Sequence, residues 1–262
     1  LYICDVSVLP FELFNTALIL VGVSARDYLQ RKGNLIGFII FSAICVGALF
    51  LMSDFGTAVI FFGTFLMIAF MRSGDLKTVI LAIVSAVRGG AIVLRFKPYI
   101  ADRFQAWGNV WEYASSTGYQ QARVLTYAAS GGLFGVGLGS GYLKYVAASE
   151  SDLVFGLLCE ETGLILALTV AVAIGALFFY SRAITTRSRS TFYSISACCA
   201  AGLLVLQSAL NIFGATDILP LTGVTLPFVS LGGSSMISCW GLLAFIKAAD
   251  ERTYAVAKRK AK

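Results

Sequence analysis

The side chains able to carry acid or base chemistry in this 262-residue chain are mainly carboxylates, because the sequence contains no histidine. The absence of histidine excludes Ser-His-Asp triads and histidine-ligated zinc or haem, and it leaves proton transfer to Asp, Glu, Lys, Tyr or Cys. The six cysteines lie mostly in apolar runs without Cys-X-X-Cys spacing. They are therefore predicted to be small buried hydrophobic residues rather than disulfides or metal knuckles.

Two acidic clusters mark the start and the interior of one apolar run. Glu150-Ser151-Asp152 precedes the run, and Glu160-Glu161 lies about two helical turns further along it. Helical spacing puts Asp152 and Glu160 on roughly the same face, about 12 Å apart along the axis. Asp152 fits catalysis, and it also fits capping of the helix start. Glu160 and Glu161 fit either a catalytic or transport cavity or structural ion pairing, because acids inside a membrane are costly without one of these.

Three further polar features have both a structural and a functional interpretation. Asp54 lies at a predicted helix start, where a cap is favoured. Arg88 lies inside an apolar run and would need a carboxylate partner or a water-filled cavity. Glycines alternate at period two between residues 135 and 141, which matches neither common nucleotide-binding glycine motif. They form either a turn that admits close backbone approach or a loop whose N–H groups bind a phosphate.

The elements that position these residues are predicted to be transmembrane helices. Hydrophobic residues make up 58% of the chain and charged residues 13%, about half the charged fraction of a soluble domain. An all-α bundle of about seven spans is predicted, forming a single integral membrane domain over residues 1–262. The predicted spans lie near residues 8–24, 34–52, 56–71, 77–95, 153–181, 192–213 and 226–248. Since the first residue is Leu1 rather than Met, a fragment is expected.

The distribution of basic residues predicts the orientation in the membrane. Most of the 20 Lys and Arg residues fall near residues 26–32, 72–77 and 182–189 and in the C-terminal tail at 249–262. Because Lys and Arg are retained in the cytoplasm, this tail is predicted to be cytoplasmic, and the long loop at 96–152 to be extracytoplasmic. Long loops tend to carry function. The net charge of +6 reflects this asymmetry, so no nucleic-acid partner is predicted.

Residues 219–235 carry the most specific pattern, LPLTGVTLPFVSLGGSS. Prolines, glycines and hydroxyl residues at membrane depth predict irregular backbone that lines a cavity. The segment resembles the LPxTGxxLPFxSxGGSS signature of the SEDS family (shape, elongation, division and sporulation proteins). Shorter matches lie at residues 54–58, 118–120, 130–135 and 151–163, and the resemblance implies the last seven of ten transmembrane helices. Departures from the family pattern stand at Asn15, Ala147-Ala148 and Leu231.

The resemblance implies a peptidoglycan glycosyltransferase of the bacterial cytoplasmic membrane that polymerises lipid II at the outer face. Asp152 matches the family's essential carboxylate and is expected to be the general base. Arg103 and Lys144 are candidates to offset the diphosphate charge, alone or with a divalent cation such as Mg²⁺ or Mn²⁺. The other substrate-binding candidates, expected to shape the cavity, are Gln120, Glu160, Glu161, Ser230 and Ser234.

The implied partners are lipid II, the lipid bilayer and a class B penicillin-binding protein. Two other functions stay open, namely a lipid II flippase and a non-catalytic scaffold that activates the penicillin-binding protein. A flippase needs a polar path to the cytoplasmic side, whereas the predicted intramembrane acids cluster in the outer half. Division, elongation and sporulation members are not distinguished by these motifs.

Overall fold

The structure is a computed structural model that describes residues 2–3, 6–7, 55–73, 103–185, 188 and 191–250, with single helical positions at 44, 80, 83, 84, 87 and 88. Apart from the two-residue strands β1 (Tyr2–Ile3) and β2 (Val6–Ser7), which pair antiparallel, the elements in these ranges are helical. The predicted all-α class is confirmed. Most of the predicted spans at 8–24, 34–52 and 77–95, together with Asp54 and the tail beyond residue 250, lies outside the described residues. Arg88 is helical and exposed.

Six α-helices and one short 3-10 helix have defined bounds. They are α1 (Phe55–Ser73), α2 (Tyr119–Gly131), the 3-10 helix Leu143–Tyr145, α3 (Val154–Thr162), α4 (Leu164–Thr185), α5 (Thr191–Ala215) and α6 (Gly233–Ala248).

Two of the described helices, α4 with 22 residues and α5 with 25, are long and apolar enough to cross a membrane. At 1.5 Å per residue, 22 residues extend about 33 Å, which matches a hydrocarbon core of about 30 Å. The apolar helices Phe55–Met71 and Gly233–Ala248 are shorter. The predicted number of seven spans therefore stays a prediction.

The predicted span at residues 153–181 is divided at Gly163. This glycine ends α3 with a φ of +88°, and a Cβ built on it would lie 2.3 Å from the carbonyl oxygen of Leu133. A larger residue is excluded by the backbone contact and strained by the left-handed conformation. Glu160 and Glu161 therefore lie on a nine-residue helix that precedes α4. This corrects the prediction that they lie two turns inside a spanning helix.

The chain forms two compact units, with residues 1–86, 175–205 and 233–262 in unit 1 and residues 87–174 and 206–232 in unit 2. In unit 1, α1 packs on α5 so closely that a Cβ on Gly202 would lie 2.4 Å from the Met67 sulfur. Small residues allow such close approach between apolar helices. In unit 2, α2 packs on α3, and Gly156 faces Val124 at similarly short range. Unit 2 carries most of the candidate site.

Candidate active site

Asp152 lies in the turn that leads into α3. The backbone N–H groups of Asp152 and Leu153 both donate to the carbonyl of Ala148, at 3.0 and 3.2 Å. The N-cap residue of α3 is Leu153, and no side-chain cap hydrogen bond is made there by the described residues. Asp152 is half-buried and stands one position before the cap. The carboxylate of Asp152 therefore lies at the surface of the unit, next to the start of α3, and its role stays a prediction.

Gly223 stands between the side chains of Asp152 and Arg103. A Cβ built on this glycine would lie 3.3 Å from Oδ2 of Asp152 and 3.8 Å from Nη1 of Arg103. The same Nη1 donates a hydrogen bond of 2.9 Å to the carbonyl of Leu221. The predicted base and one predicted cation thus both approach the backbone of Gly223, where a side chain would contact them.

The irregular segment at residues 216–232 is tied to the Asp152 turn by hydrogen bonds. Ser230 Oγ donates to the carbonyl of Ser151 at 2.6 Å and accepts from the N–H of Leu226 at 2.7 Å. The N–H of Leu231 donates to the carbonyl of Glu150 at 2.9 Å. Ser230 therefore joins the signature segment to the residue that precedes Asp152. This contact supports a positioning role for Ser230, and its contact with substrate stays a prediction.

Two non-glycine residues with left-handed backbone flank this junction. Ala148 has a φ of +61° and Phe228 a φ of +65°. Such conformations are costly for residues with a Cβ, and they concentrate at functional sites whose surroundings hold them in place. Their occurrence on both chain segments that meet at Asp152 supports a functional role for the junction.

Three buried amide side chains that the sequence analysis did not single out hold this region together. Asn211 Nδ2 donates to the carbonyls of Asp152 and Val224, at 2.8 and 2.6 Å. Gln207 Nε2 donates to Thr225 Oγ1 at 2.8 Å, and Gln121 Nε2 donates to the carbonyl of Gly214 at 2.8 Å. The available signal was two amides one turn apart in the apolar α5, since such groups are costly in a membrane helix without partners.

Two buried oxygens in this region lack a described partner. Asn211 Oδ1 and Thr222 Oγ1 have no hydrogen-bond partner among the described residues. Buried polar atoms are nearly always satisfied, so these two oxygens mark positions for water or for hydroxyl groups of a ligand.

Glu160 and Glu161 bind the backbone of the glycine loop, which we define as residues 132–142. Glu160 is 1% exposed, and its two oxygens accept the N–H groups of Tyr142 at 2.7 Å and Leu143 at 2.9 Å. Glu161 Oε2 accepts the N–H of Gly139 at 3.0 Å. The contacts described for these carboxylates are therefore with backbone N–H groups rather than with a cationic side chain. Their contact with substrate stays a prediction.

The same contacts decide between the two interpretations of the alternating glycines. The main-chain carbonyls of Glu160 and Glu161 accept the N–H groups of Val136 and Gly137, at 2.9 and 3.0 Å. A Cβ on Gly135 would lie 2.2 Å from the carbonyl oxygen of Glu161. Since α3 already occupies five N–H groups of residues 136–143, the structure favours close backbone approach over phosphate binding.

The remaining predicted substrate-binding residues lie at different places. Lys144 Nζ donates to the carbonyl of Gly139 and lies 5.2 Å from the centroid of the Tyr145 ring, so it packs over the glycine loop. Gln120 Nε2 donates to the carbonyl of Ala147 at 3.1 Å. Ser234 is buried at the start of α6, in unit 1. In the structure Arg103 and Ser230 lie near the Asp152 turn, whereas Lys144 contacts Gly139 of the glycine loop.

A divalent cation would not find a complete set of protein ligands here. Among the residues that the structure describes, no group of three or more Asp, Glu or Cys side chains is close enough to hold a metal ion. Mg²⁺ is commonly held by one or two carboxylates, with water and substrate phosphates supplying the other ligands. Asp152 fits that partial role, and the cation stays a prediction.

Comparison with known proteins identifies the family of this chain. The sequence profile of the FtsW/RodA/SpoVE family, described as cell cycle protein, matches residues 1–255. The chain belongs to the FtsW/RodA/SpoVE family. The resemblance to the SEDS family is thereby confirmed.

Several curated relatives of this FtsW/RodA/SpoVE family member carry enzyme names. The probable peptidoglycan glycosyltransferase FtsW of Dichelobacter nodosus is 34% identical over 98% of this chain and 68% of its own length. The corresponding FtsW of Saccharophagus degradans is 33% identical over 84% of this chain and 60% of its own length. The peptidoglycan glycosyltransferase RodA of Mycobacterium leprae is 30% identical over 83% of this chain and 47% of its own length. The chain thus spans from about half to two thirds of these relatives.

A solved structure has the same fold as this family member. It belongs to a peptidoglycan synthase complex, described in terms of the coordination of polymerization and crosslinking. The TM-score is 0.74 at 22% identity, and the match covers 95% of this chain and 71% of that one. The helical fold predicted from the sequence is therefore confirmed.

Proposed function

We propose that this chain is the membrane-embedded part of a peptidoglycan glycosyltransferase that polymerises lipid II at the outer face of the bacterial cytoplasmic membrane. Its FtsW and RodA relatives are named as peptidoglycan glycosyltransferases. The observation that carries the proposal is the approach of Asp152 and Arg103 to the same space beside Gly223. A carboxylate and a guanidinium beside one glycine supply a proton acceptor and an anion-binding group together.

The reaction follows from these two groups. Asp152 accepts the proton of the acceptor sugar's 4-hydroxyl as that oxygen attacks the anomeric carbon of the donor. A new carbon–oxygen bond forms, the bond between the anomeric carbon and the diphosphate breaks, and undecaprenyl diphosphate leaves with the electron pair. Arg103 offsets the negative charge that develops on the leaving diphosphate. Gly223 allows both side chains to approach its backbone, because a Cβ there would lie 3.3 Å from Oδ2 of Asp152.

The partner and the orientation belong to the same proposal. The solved relative is part of a complex described as coordinating polymerization with crosslinking, which supports a crosslinking partner for this chain. We assign that partner to the class B penicillin-binding proteins. The basic residues near the C-terminus support a cytoplasmic tail, so that the Asp152 turn faces outward.

Asp152→Asn in the complete protein tests the general base, because asparagine keeps the shape of the side chain and loses its basicity. Purified protein is reconstituted with its partner and lipid II, and glycan strands are measured in the presence of moenomycin, which excludes contaminating transglycosylases. A general base contributes about 10²–10⁴ in rate, so a loss of that size is expected. The matched control is Glu150→Gln, an exposed acid two positions earlier, which is expected to retain activity.

Two results contradict the proposal. Unchanged polymerisation by Asp152→Asn would remove the general base. Growth of cells supported by Asp152→Ala as well as by the natural protein would favour the non-catalytic scaffold. A binding assay with the penicillin-binding protein shows whether each Asp152 variant is still folded, since a folded variant is expected to retain its partner.

A further inference from the structure

The glycine loop exposes large apolar side chains. Phe134 is 84% exposed and Leu138 is 80% exposed, and Leu133 and Val136 are also on the surface. Contiguous apolar groups of this kind on a protein surface usually mark contact with a membrane or with another protein.

This exposure occurs on backbone that is firmly held. Glu160 and Glu161 bind the N–H groups of Tyr142 and Gly139 through their carboxylates. Two glycines of the loop lie very close to these glutamates. A Cβ on Gly135 would lie 2.2 Å from the Glu161 carbonyl oxygen, and a Cβ on Gly141 would lie 2.7 Å from Glu160 Oε2. The apolar side chains are therefore presented on a fixed scaffold.

The loop is joined directly to the start of a membrane-spanning helix. The N–H of Leu164 donates to the carbonyl of Gly132 at 3.0 Å, and the N–H of Ile165 donates to the carbonyl of Leu133 at 3.4 Å. The first turns of α4 expose further leucines and isoleucine, and α4 has the length and composition of a membrane span. The apolar surface of the loop is thus continuous with the apolar surface of α4 at the end where that helix enters the bilayer.

The chain that follows the tip has the composition of a membrane–water interface. Tyr142 and Tyr145 are exposed, and Lys144 lies between them with its ammonium group over the Tyr145 ring. Tyrosine is enriched at the headgroup level, and lysine is attracted there by anionic lipids. The chain therefore runs from an apolar segment at residues 133–138 to a polar, aromatic segment at residues 142–145.

We propose that the glycine loop is a membrane wedge on the side of the bilayer where α4 begins. Phe134 and Leu138 enter the acyl-chain region, while Tyr142, Lys144 and Tyr145 lie among the lipid headgroups. Lipid is the occupant that the structure favours, because the same apolar surface continues onto α4, which has the length and composition of a membrane span. The position of the loop in the membrane does not depend on the proposed glycosyltransferase reaction.

The wedge has a consequence for the candidate active site. Glu160 and Glu161 connect the loop to α3, and Asp152 lies two residues before Val154, where this short helix begins. Glu160 lies about 9 Å from Val154 along the helix axis at 1.5 Å per residue. A loop fixed in the interface therefore holds the Asp152 turn at a set distance from the membrane surface.

Spin labelling of the complete protein in proteoliposomes tests the wedge. Nitroxide labels are attached at Phe134→Cys and Leu138→Cys in a cysteine-free background, in vesicles of phosphatidylethanolamine and phosphatidylglycerol. The matched control is Ser116→Cys, which is exposed in the same unit but is a polar position. Labels in lipid collide more with dissolved oxygen than with a water-soluble nickel chelate, so positions 134 and 138 are expected to favour oxygen and position 116 to favour nickel.

Two outcomes overturn the wedge. Preference for nickel at 134 and 138 would mean that the loop lies in water. Protection from both reagents with an immobilised spectrum would mean that protein covers the loop, as in docking to a partner. Glu161→Ala gives a second measurement, provided that the variant is still extracted as a monodisperse species. Because it removes the acceptor for the Gly139 N–H, it is expected to increase the mobility of the label at 138. The mobility of the label at 116 is expected to stay the same.

Discussion

Two regions on either side of α3 use carboxylates in opposite ways. At the turn before the helix, Asp152 is half-buried, and its Oδ2 borders a space shared with the Arg103 guanidinium. At the other end, Glu160 is almost fully buried, and each of its oxygens accepts a backbone N–H. Asp152 is partly accessible to a ligand that approaches from outside, whereas both carboxylate oxygens of Glu160 accept hydrogen bonds within the fold.

This difference predicts different effects for substitutions of two acids that are only eight residues apart. A buried carboxylate that accepts two backbone N–H groups fixes the loop that supplies these donors. A half-buried carboxylate beside an arginine is instead accessible in part from the surface. Removal of Glu160 should therefore affect folding, and neutralisation of Asp152 should affect chemistry.

Glu160→Ala is expected to produce the largest loss of stability. It leaves the N–H groups of Tyr142 and Leu143 without their acceptor, and the buried Leu143 N–H alone costs about 1–3 kcal/mol. Thermal unfolding in detergent should show a loss of at least about 1–3 kcal/mol, while Asp152→Asn unfolds near the natural protein. Comparable stability of Glu160→Ala and the natural protein would remove the distinction between the two carboxylates.

Gly135→Ala sharpens the comparison at the glycine loop. Both Gly135 and Gly139 have a left-handed φ, at +81° and +73°, but a Cβ on Gly135 meets the Glu161 carbonyl, whereas no described atom lies within 4 Å of a Cβ on Gly139. Conformational strain costs about 1–2 kcal/mol in either variant. Overpacking adds about 1–3 kcal/mol for Gly135→Ala. Equal unfolding temperatures for the two alanine variants would contradict the tight contact between the loop and α3.

The Asp152 region is probed by Asn211→Ala, since this side chain binds the carbonyls of both Asp152 and Val224. Loss of about 1–2 kcal/mol of positioning corresponds to about a 5- to 30-fold fall in turnover. Asn211 is a positioning residue, so the rate at saturating lipid II should fall more than the affinity for it. Gln207→Ala, one turn earlier, is the control, because its described contact is with Thr225 rather than with Asp152. An equal effect of the two variants would indicate general loosening of α5.

Much of this arrangement was predictable from residue types, and the rest depended on backbone contacts. The helical class, the family and the irregular segment at residues 219–232 followed from apolar runs and from the proline and glycine signature. The break at Gly163 was not predictable from hydropathy, because both sides of it are apolar and the cause is the packing of Leu133 against that glycine. The partners of Glu160 were also hidden, since backbone N–H groups have no signature in a sequence.

For the Asp152 site, the signature identified Asp152, and the loop chemistry suggested Arg103, but their meeting beside Gly223 is a property of the fold. Lys144 shares a loop with Asp152 in the sequence, yet its described contacts are with Gly139 and Tyr145. Proximity along the chain was a poor guide for this lysine because its ammonium group binds the carbonyl of Gly139, in the glycine loop that precedes it.

Gly223→Ala makes the smallest change to the structure and tests the approach of Asp152 and Arg103 to Gly223 directly. The new methyl group would lie 3.3 Å from Oδ2 of Asp152 and 3.8 Å from Nη1 of Arg103, and the φ of +73° adds strain of about 1–2 kcal/mol. Because the methyl group fills the space between the two side chains, polymerisation is expected to fall further than this loss of stability explains. Gly139→Ala provides the control, with similar φ and no close described atom at a site distant from chemistry. If both variants lost stability equally and neither lost activity per folded molecule, the space beside Gly223 would not hold the reacting groups.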